Sequence, residues 1–380
     1  MPDSGVTGLS ANALLALQSS MNKDGIAVYC GAGSSHSWTW LADLFESHGV
    51  FNVRFVGSRE LAIAVESGTR TVIVSGGDGF AIAEALSGQG FDRLKEFIND
   101  GGLYAGICAG AYLALPSSLE PFNQFNMTKT KIANIAPESG VDAASSPRVS
   151  IRYGACRIYH PVRGELALSI GREGIRAPLY GGPVFTEPTE DKVIMRYHGF
   201  SSTTEYQIDP FEAESMMLGR PAAVLAGKGH GRLLLLGPHL EHPRYPEANA
   251  FFLDLLGIQE PSGNIDEGPP IERQRSPQIR KAVADLKVAI LGLEKRSFLV
   301  GNKLWDASRY LELIAAIEKR VATLDESIAV EVSGMLLGVR EEILRSDSGT
   351  MENSDSSPGL LVEAARRCVD HHFSVLRGSR

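Results

Sequence analysis

The segment GLYAGICAGAYLAL, Gly102–Leu115, places the tightest constraint on what this chain can fold into. Small and apolar residues run into Gly106-Ile107-Cys108-Ala109-Gly110, and an apolar helical pattern follows. A cysteine between two glycines, where a strand stops and a helix starts, sits on a sharp turn. The glycines relieve the crowding that such a turn creates on both sides of it. The side chain then projects above the carboxyl ends of the strands, where open α/β sheets bind their ligands. The following helix N-terminus favours a thiolate there, and the Ala109 N–H is free to face a developing oxyanion.

The surrounding pattern agrees. GIAVYC (25–30), FNVRFVG (51–57) and TRTVIVSGG (69–77) read as buried strands. GFDRLKEFINDG (90–101) reads as a helix with Phe91, Leu94, Phe97 and Ile98 on one face. Strand–helix alternation at this spacing predicts a flavodoxin-like, doubly wound, mostly parallel sheet covered by helices on both faces. Beyond Pro147 the chain turns β-rich (RVSIRYGACRIYH, APLYGGPVF, KVIMRYHG, PAAVLAG, GRLLLLGPHLEHP) and ends in a helix over 245–257. These segments are expected as antiparallel additions to the same sheet.

The expected organisation is a lead-in (1–24), an α/β domain (25–258), a polar, Pro- and Gly-rich linker (259–278), a helical hairpin or bundle (279–345) and a mostly disordered tail with a short helix (346–380). In the fourth segment Ile279, Val283, Leu286, Ile290 and Leu293 make one apolar stripe, and Ile314, Ile317, Val321, Leu324 and Ile328 make another. Gly301-Asn302 is read as the turn between the two helices. The stripes suit an ordinary packed helical domain better than a dedicated partner site, although docking of a protein partner on them is the second reading.

The formal net charge of -8 and a pI near 5.7 argue against general nucleic-acid binding. No run approaches the length of a membrane span. The apolar patch Ala11–Leu17 has no basic stretch before it and is not read as a signal peptide. Cys30, Cys108, Cys156 and Cys368 form no CxxC pair, so neither a zinc cage nor a disulfide framework is expected, no metal or cofactor is called for, and a reducing, cytoplasmic setting fits. Cys30, Cys156 and Cys368 are read as structural.

A nucleophilic thiol needs a base, and the base needs an orienting group. In LLLLGPHLEHP the apolar strand ends at Gly237-Pro238, and His239 and Glu241, two residues apart in an extended segment, share a face. Glu241 can hold one ring nitrogen while the other meets Cys108. His242 is expected on the opposite side, at the surface or as a cap. VSGGDGF (74–80) offers a glycine N–H to pair with Ala109 in an oxyanion hole. Gly181-Gly182 is read equally as a tight turn or as a place for close approach of a substrate. GAGSSHSWTW lacks the lysine of a phosphate-binding loop.

Taken together, GICAGAY, VSGGDGF and PHLEHP resemble the class I glutamine amidotransferase fold with its Cys-His-Glu triad. More narrowly, GGLYAGICAGAYLA with YGGPVF resembles the domain at the N-terminus of biotin–protein ligases, in a stand-alone form and without a ligase's adenylate-binding loop. The resemblance spans roughly Ile26 to Gly257. It implies Cys108 as nucleophile, His239 as base, Glu241 as orienter and Gly77 with Ala109 as oxyanion donors. Gly76, Asp78, Tyr112, Gly181 and Gly182 are the substrate-side positions. Tyr112 stands where working glutaminases of this class carry the glutamine of C-x-G-x-Q, so the element that holds a glutamine substrate is missing. The expected activity is a thiol-dependent hydrolase or amidotransferase on a small amide or acyl compound, with ammonia passing to a partner in the second case. The alternative is a small-molecule-binding or regulatory module on the same fold.

Overall fold

The computed structural model describes residues 25–86, 88–137, 147–153, 156–258, 276–293, 297–346 and 356–378. The lead-in and most of the linker anticipated from the sequence lie outside these residues. Five parallel strands form one half of a ten-stranded sheet: β1 (Gly25–Tyr29), β2 (Val53–Val56), β3 (Thr69–Val74), β4 (Leu103–Ile107) and, from much later in the chain, β13 (Gly231–Leu236). Their order, β2-β1-β3-β4-β13, is the 2-1-3-4-5 arrangement of a flavodoxin-like sheet. The antiparallel half continues through β12 (Pro221–Lys228), β10 (Lys192–Phe200), β8 (Val162–Ile170) and β11 (Glu205–Tyr206), with β9 (Glu173–Leu179) also on β8. GRLLLLG is thus parallel to β4 and antiparallel only to β12, the seam between the two halves. RVSIRYGACRIYH does not join this sheet. It supplies β6 (Ser150–Tyr153) and β7 (Cys156–Tyr159) to a separate three-stranded sheet with β5 (Ile135–Pro137).

Alternation along each strand sends successive side chains to opposite faces. Val28, Phe55, Ile73, Ala105 and Leu234 enter one core, while Ala27, Val56, Val72, Tyr104 and Leu235 enter the other. The second core lies under α2 (Ser58–Glu66), α3 (Gly79–Leu86), α4 (Gln89–Asn99) and α5 (Ala109–Ala114). The first is covered by α1 (Trp38–Ser47), then α7 (Pro246–Leu255), which follows the small α6 (Pro210–Met217).

Four later helices share that first core: α8 (Pro277–Leu291), α9 (Ala307–Arg320), α10 (Glu326–Ser346) and α11 (Ser356–Gly378). Ile279, Val283, Leu286, Ile290 and Leu293 are buried, as are Ile314, Ile317 and Leu324, so the apolar stripes are used within the chain itself. Gly301-Asn302 is not a helix–helix turn. It is the tip of a β-hairpin made by β14 (Ser297–Val300) and β15 (Lys303–Asp306), because the short run of strand-forming residues outcompetes a helix too short to persist between Gly292 and Asp306. The C-terminal helix is also long rather than short. Its apolar face, with Leu361, Ala365, Cys368, Val369 and Phe373 buried, packs on β2 and α10.

That helix solves a specific problem. β2 is the edge of the parallel half, and its outer backbone groups have no strand to bond. Asp370 Oδ1 accepts from Phe55 N–H at 2.8 Å, Arg366 donates to the Phe55 carbonyl at 3.3 Å, and Arg377 donates to the Val53 carbonyl at 3.1 Å. Around α1 a second clasp forms: the fully buried Arg320 guanidinium reaches Asp43 at 2.8 Å and Glu46 at 2.6 Å, and His372 meets the other Glu46 oxygen at 3.1 Å. Asp370→Ala orphans the Phe55 N–H and is expected to lower unfolding free energy by about 1–3 kcal/mol. Urea unfolding followed by circular dichroism checks this; an unchanged midpoint would mean that water satisfies the group equally well.

Candidate active site

At the end of β4 the backbone enters Cys108 with φ 53° and ψ −108°, a left-handed conformation that a non-glycine residue adopts only when its surroundings enforce it. The Cys108 N–H donates to the Leu236 carbonyl at 2.8 Å, tying the turn to β13. Next, α5 leaves so steeply that a Cβ on Gly110 would overlap the Val74 carbonyl oxygen. A Cβ on Gly106 would strike the Gly110 carbonyl. Both glycines are therefore required by close approach of backbone to backbone.

β13 delivers the other two residues. The segment 237–242 is a turn, not the extended strand anticipated, yet it brings the anticipated pair together: His239 Nδ1 lies 2.7 Å from Glu241 Oε1. The ring is also near enough to the Cys108 thiol for each group to shift the other's pKa. Glu241 is fully buried. Ser75 Oγ donates to the same Oε1 at 3.2 Å, and Ser37 Oγ lies 3.0 Å from Ser75 Oγ. Asn249 donates to the Leu240 and His242 carbonyls at 2.6 and 3.1 Å, fixing the turn from behind. Trp40 closes the side, its ring edge-on to His239 with centroids 5.5 Å apart. His242, anticipated at the surface or as a cap, is not at the surface, but its Nδ1 accepts from the Arg244 N–H at 3.3 Å just ahead of α7. It is half-buried against Trp40 at 4.4 Å, and burial together with the charge on His239 pushes its pKa down to about 4.

Burial by itself would raise the Cys108 pKa, but its interaction with His239, the charge of Lys303 and the Ala109 N–H together pull it below the ordinary thiol value. Burial would lower the pKa of His239, but the charge of Glu241, its hydrogen bond to the ring and the nearby Cys108 thiol raise it to about 10. The three side chains thus favour a thiolate beside an imidazolium.

The bonds Asp78 N–H to Gly33 carbonyl, 2.8 Å, and Ser35 N–H to Gly76 carbonyl, 3.1 Å, flank Gly77. Among the described residues the Gly77 N–H is spent on no backbone acceptor, and Gly77 and Ala109 line the same cavity as Cys108. Gly76 packs beside His239, where a Cβ would crowd the ring. Asp78 lines the cavity, but its carboxylate is already engaged: it accepts from Phe80 N–H at 3.0 Å, capping α3, and from Asn302 N–H at 2.6 Å at the hairpin tip. Tyr112 is likewise committed. Its hydroxyl donates to the Gly181 carbonyl at 3.2 Å and accepts from Asn134. Gly181, with φ 109°, lies against His160, and Gly182 passes so close to Gly237 that no Cβ fits. The tight-turn reading of this pair describes its backbone, and Gly181 also lines the cavity.

Several residues of the site carried no recognisable signal. Ser75 and Ser37 look like loop residues in sequence. Lys303, Arg163 and Arg309 surround the cavity from the β14–β15 hairpin, β8 and α9, none of which the nucleophile motif points to. Among the described residues no cluster of metal-binding side chains occurs, and no helix is long and apolar enough to cross a membrane.

The raised pKa gives a direct check by 15N NMR of the imidazole nitrogens. His239 should keep both nitrogens protonated through pH 8, titrating near 10. Glu241→Gln removes the largest raising influence, so the titration should move down toward the ordinary histidine range of about 6.5. A wild-type His239 that is neutral at pH 8 would contradict the arrangement.

Comparison with known proteins places part of the chain beside a known family. Residues 25–129 match the family described as "Biotin-protein ligase, N terminal". The match contains Cys108, Gly77 and Ala109 but ends before His239 and Glu241. An uncharacterized protein of Chlamydia muridarum (strain MoPn / Nigg) is 27% identical over 187 residues, 47% of this chain and 62% of that protein. The chain therefore covers less than two thirds of the curated relative that it matches. Among solved structures, a glutamine amidotransferase from Thermotoga maritima aligns at TM-score 0.33 and 10% identity over 61% of this chain and 83% of that one. A β-galactosidase from Bacillus circulans sp. alkalophilus aligns at TM-score 0.36 and 12% identity over 62% of this chain and 32% of that one. The N-terminal part of the chain is thus similar to the biotin–protein ligase N-terminal family.

Proposed function

We propose that the chain is a thiol-dependent hydrolase or amidotransferase-like enzyme acting on a small amide or acyl compound. The observation that carries this reading is a buried chain of three groups. Cys108, on a left-handed turn, is electrostatically coupled to His239, whose Nδ1 lies 2.7 Å from the buried Glu241. Two segments far apart in the sequence supply them, and burying an imidazole and a carboxylate together has a desolvation cost that a purely structural role does not explain.

In this mechanism the Cys108 sulfur attacks the substrate carbonyl carbon while the carbonyl oxygen becomes an oxyanion facing the Gly77 and Ala109 N–H groups. The proton held on His239 passes to the leaving nitrogen as the C–N bond breaks, releasing ammonia or an amine and leaving a thioester on Cys108. Water then attacks the thioester, gives a proton to His239, and the acid leaves as the Cys108–carbon bond breaks. Glu241 holds the imidazole in orientation and stabilises its charged form. Ser75 holds Glu241. Such a thiol must stay reduced, in keeping with four unpaired cysteines and a cytoplasmic setting. Water suffices as acceptor. Delivery of ammonia to a partner bound at the C-terminal stripes loses its motivation, because those stripes are buried within the chain.

The test is intact-mass analysis of the protein incubated with a panel of small primary amides and acyl esters, with ammonia and acid products measured in parallel. An acyl adduct on Cys108, absent in Cys108→Ala, is expected, and turnover should fall by about 10³-fold or more in His239→Ala. Protection of Cys108 by a compound that is recovered unchanged, with no adduct, would instead make the protein a binding module.

A further inference from the structure

The β14–β15 hairpin lies far outside the α/β domain in sequence, yet its tip enters the candidate active site. Asn302 N–H donates to Asp78 Oδ2 at 2.6 Å, directly beside the proposed oxyanion glycine Gly77. Gly301, at φ 57°, passes close enough to that carboxylate that a Cβ would collide with it. Lys303, which follows Asn302, lines a cavity of about 80 Å³ together with Cys108. Lys303 also borders a second cleft of about 380 Å³, lined by His36, Trp40 and His239.

Lys303, Arg163, Arg309 and Arg148 border both spaces, so the wall between them is cationic in a chain whose net charge is -8. Arg309 is paired with Asp306 at 2.6 Å, and Arg148 approaches Glu205 at 3.6 Å. Among the described residues neither Lys303 nor Arg163 has a carboxylate partner, although Arg163 stacks over Tyr180 and donates weakly to its carbonyl at 3.4 Å. Burial and the neighbouring guanidinium groups hold the Lys303 pKa down to about 8, so the ammonium is still mostly charged at neutral pH. His160, buried on the same cavity, is kept neutral by burial and by Arg163 and Lys303, with a pKa near 3. Converging cations half-removed from water are costly; the Cys108 thiolate offsets part of that cost for Lys303 and Arg163, and a further negative group would offset more of it.

We infer that the substrate carries a negatively charged group, carboxylate or phosphate, which Lys303 and Arg163 bind while Cys108 attacks a carbonyl in the same molecule. The inference rests on the proposed thiol chemistry, and it makes the C-terminal hairpin part of the substrate site.

Alkylation of Cys108 in the full-length protein, followed by peptide mass spectrometry at pH 7 and low ionic strength, separates the two claims. The reading is the ratio of rates with iodoacetate, an anion, and with iodoacetamide, its neutral analogue; the ratio cancels any change in thiolate fraction. It should exceed that of N-acetylcysteinamide by about tenfold and shrink with added salt. Lys303→Met and, independently, Arg163→Gln should each remove most of the excess, and Lys303→Arg should keep it. Malonate and inorganic phosphate, tested separately as protectants against iodoacetamide, tell which anion the pocket takes. A ratio no higher than that of the free thiol, an excess untouched in both variants, protection by neither anion, or access for neither reagent would overturn the inference. Slow reaction with both reagents at an elevated ratio would instead count against the thiol chemistry and leave the anion site standing.

Discussion

The left-handed turn at Cys108 is the constraint on which the site depends. A non-glycine residue at φ 53° is strained by roughly 1–3 kcal/mol, and the surroundings must hold it there. They do so through a backbone bond to Leu236 on β13, a bond from Gly110 N–H to the Ser75 carbonyl at 3.3 Å, and two glycines without room for a methyl group. The same contacts set where β3, β4 and β13 end relative to one another. Because β13 and β4 are parallel with Leu236 opposite Ile107, the chain leaving β13 arrives beside the thiol, and that is where His239 and Glu241 stand.

Much of this was legible in the sequence because it lives in local pattern. Gly106-Ile107-Cys108-Ala109-Gly110 encodes the turn, and the continuous apolar run Leu233–Leu236 encodes a strand buried on both faces. The His239–Glu241 pair was found for a reason only half right: the residues meet in a turn, with Ser75 and Asn249 holding them, and not by strand alternation. Asp78 and Tyr112 were placed at the site by motif, but their polar atoms are spent on the hairpin tip and on Gly181, which a motif cannot reveal.

The rest depended on long-range packing. Lys303 sits in a stretch whose neighbours have helical periodicity, and nothing local distinguishes a hairpin tip from a helix–helix turn there. The covering of β2 by the last helix rests on Arg366, Asp370 and Arg377, charged residues that in sequence look like a solvated face. The partners that close the edge are backbone groups of a strand some three hundred residues earlier. Charge that satisfies a sheet edge cannot be told from charge that faces water until both elements are seen. These contacts also explain why the C-terminal helices do not form a separate body: they complete a core and close an edge of the α/β domain.

The central claim is that Cys108 is an activated thiol because His239 is its partner. The direct measurement is the pH profile of Cys108 alkylation by iodoacetamide in the wild type and in His239→Ala. The account predicts rapid wild-type reaction well below the free-thiol pKa of about 8.5, with the advantage lost when the imidazole is removed. If both proteins titrate like an ordinary thiol, or the profile is unchanged by the substitution, the dyad does not exist and the site is not a nucleophile.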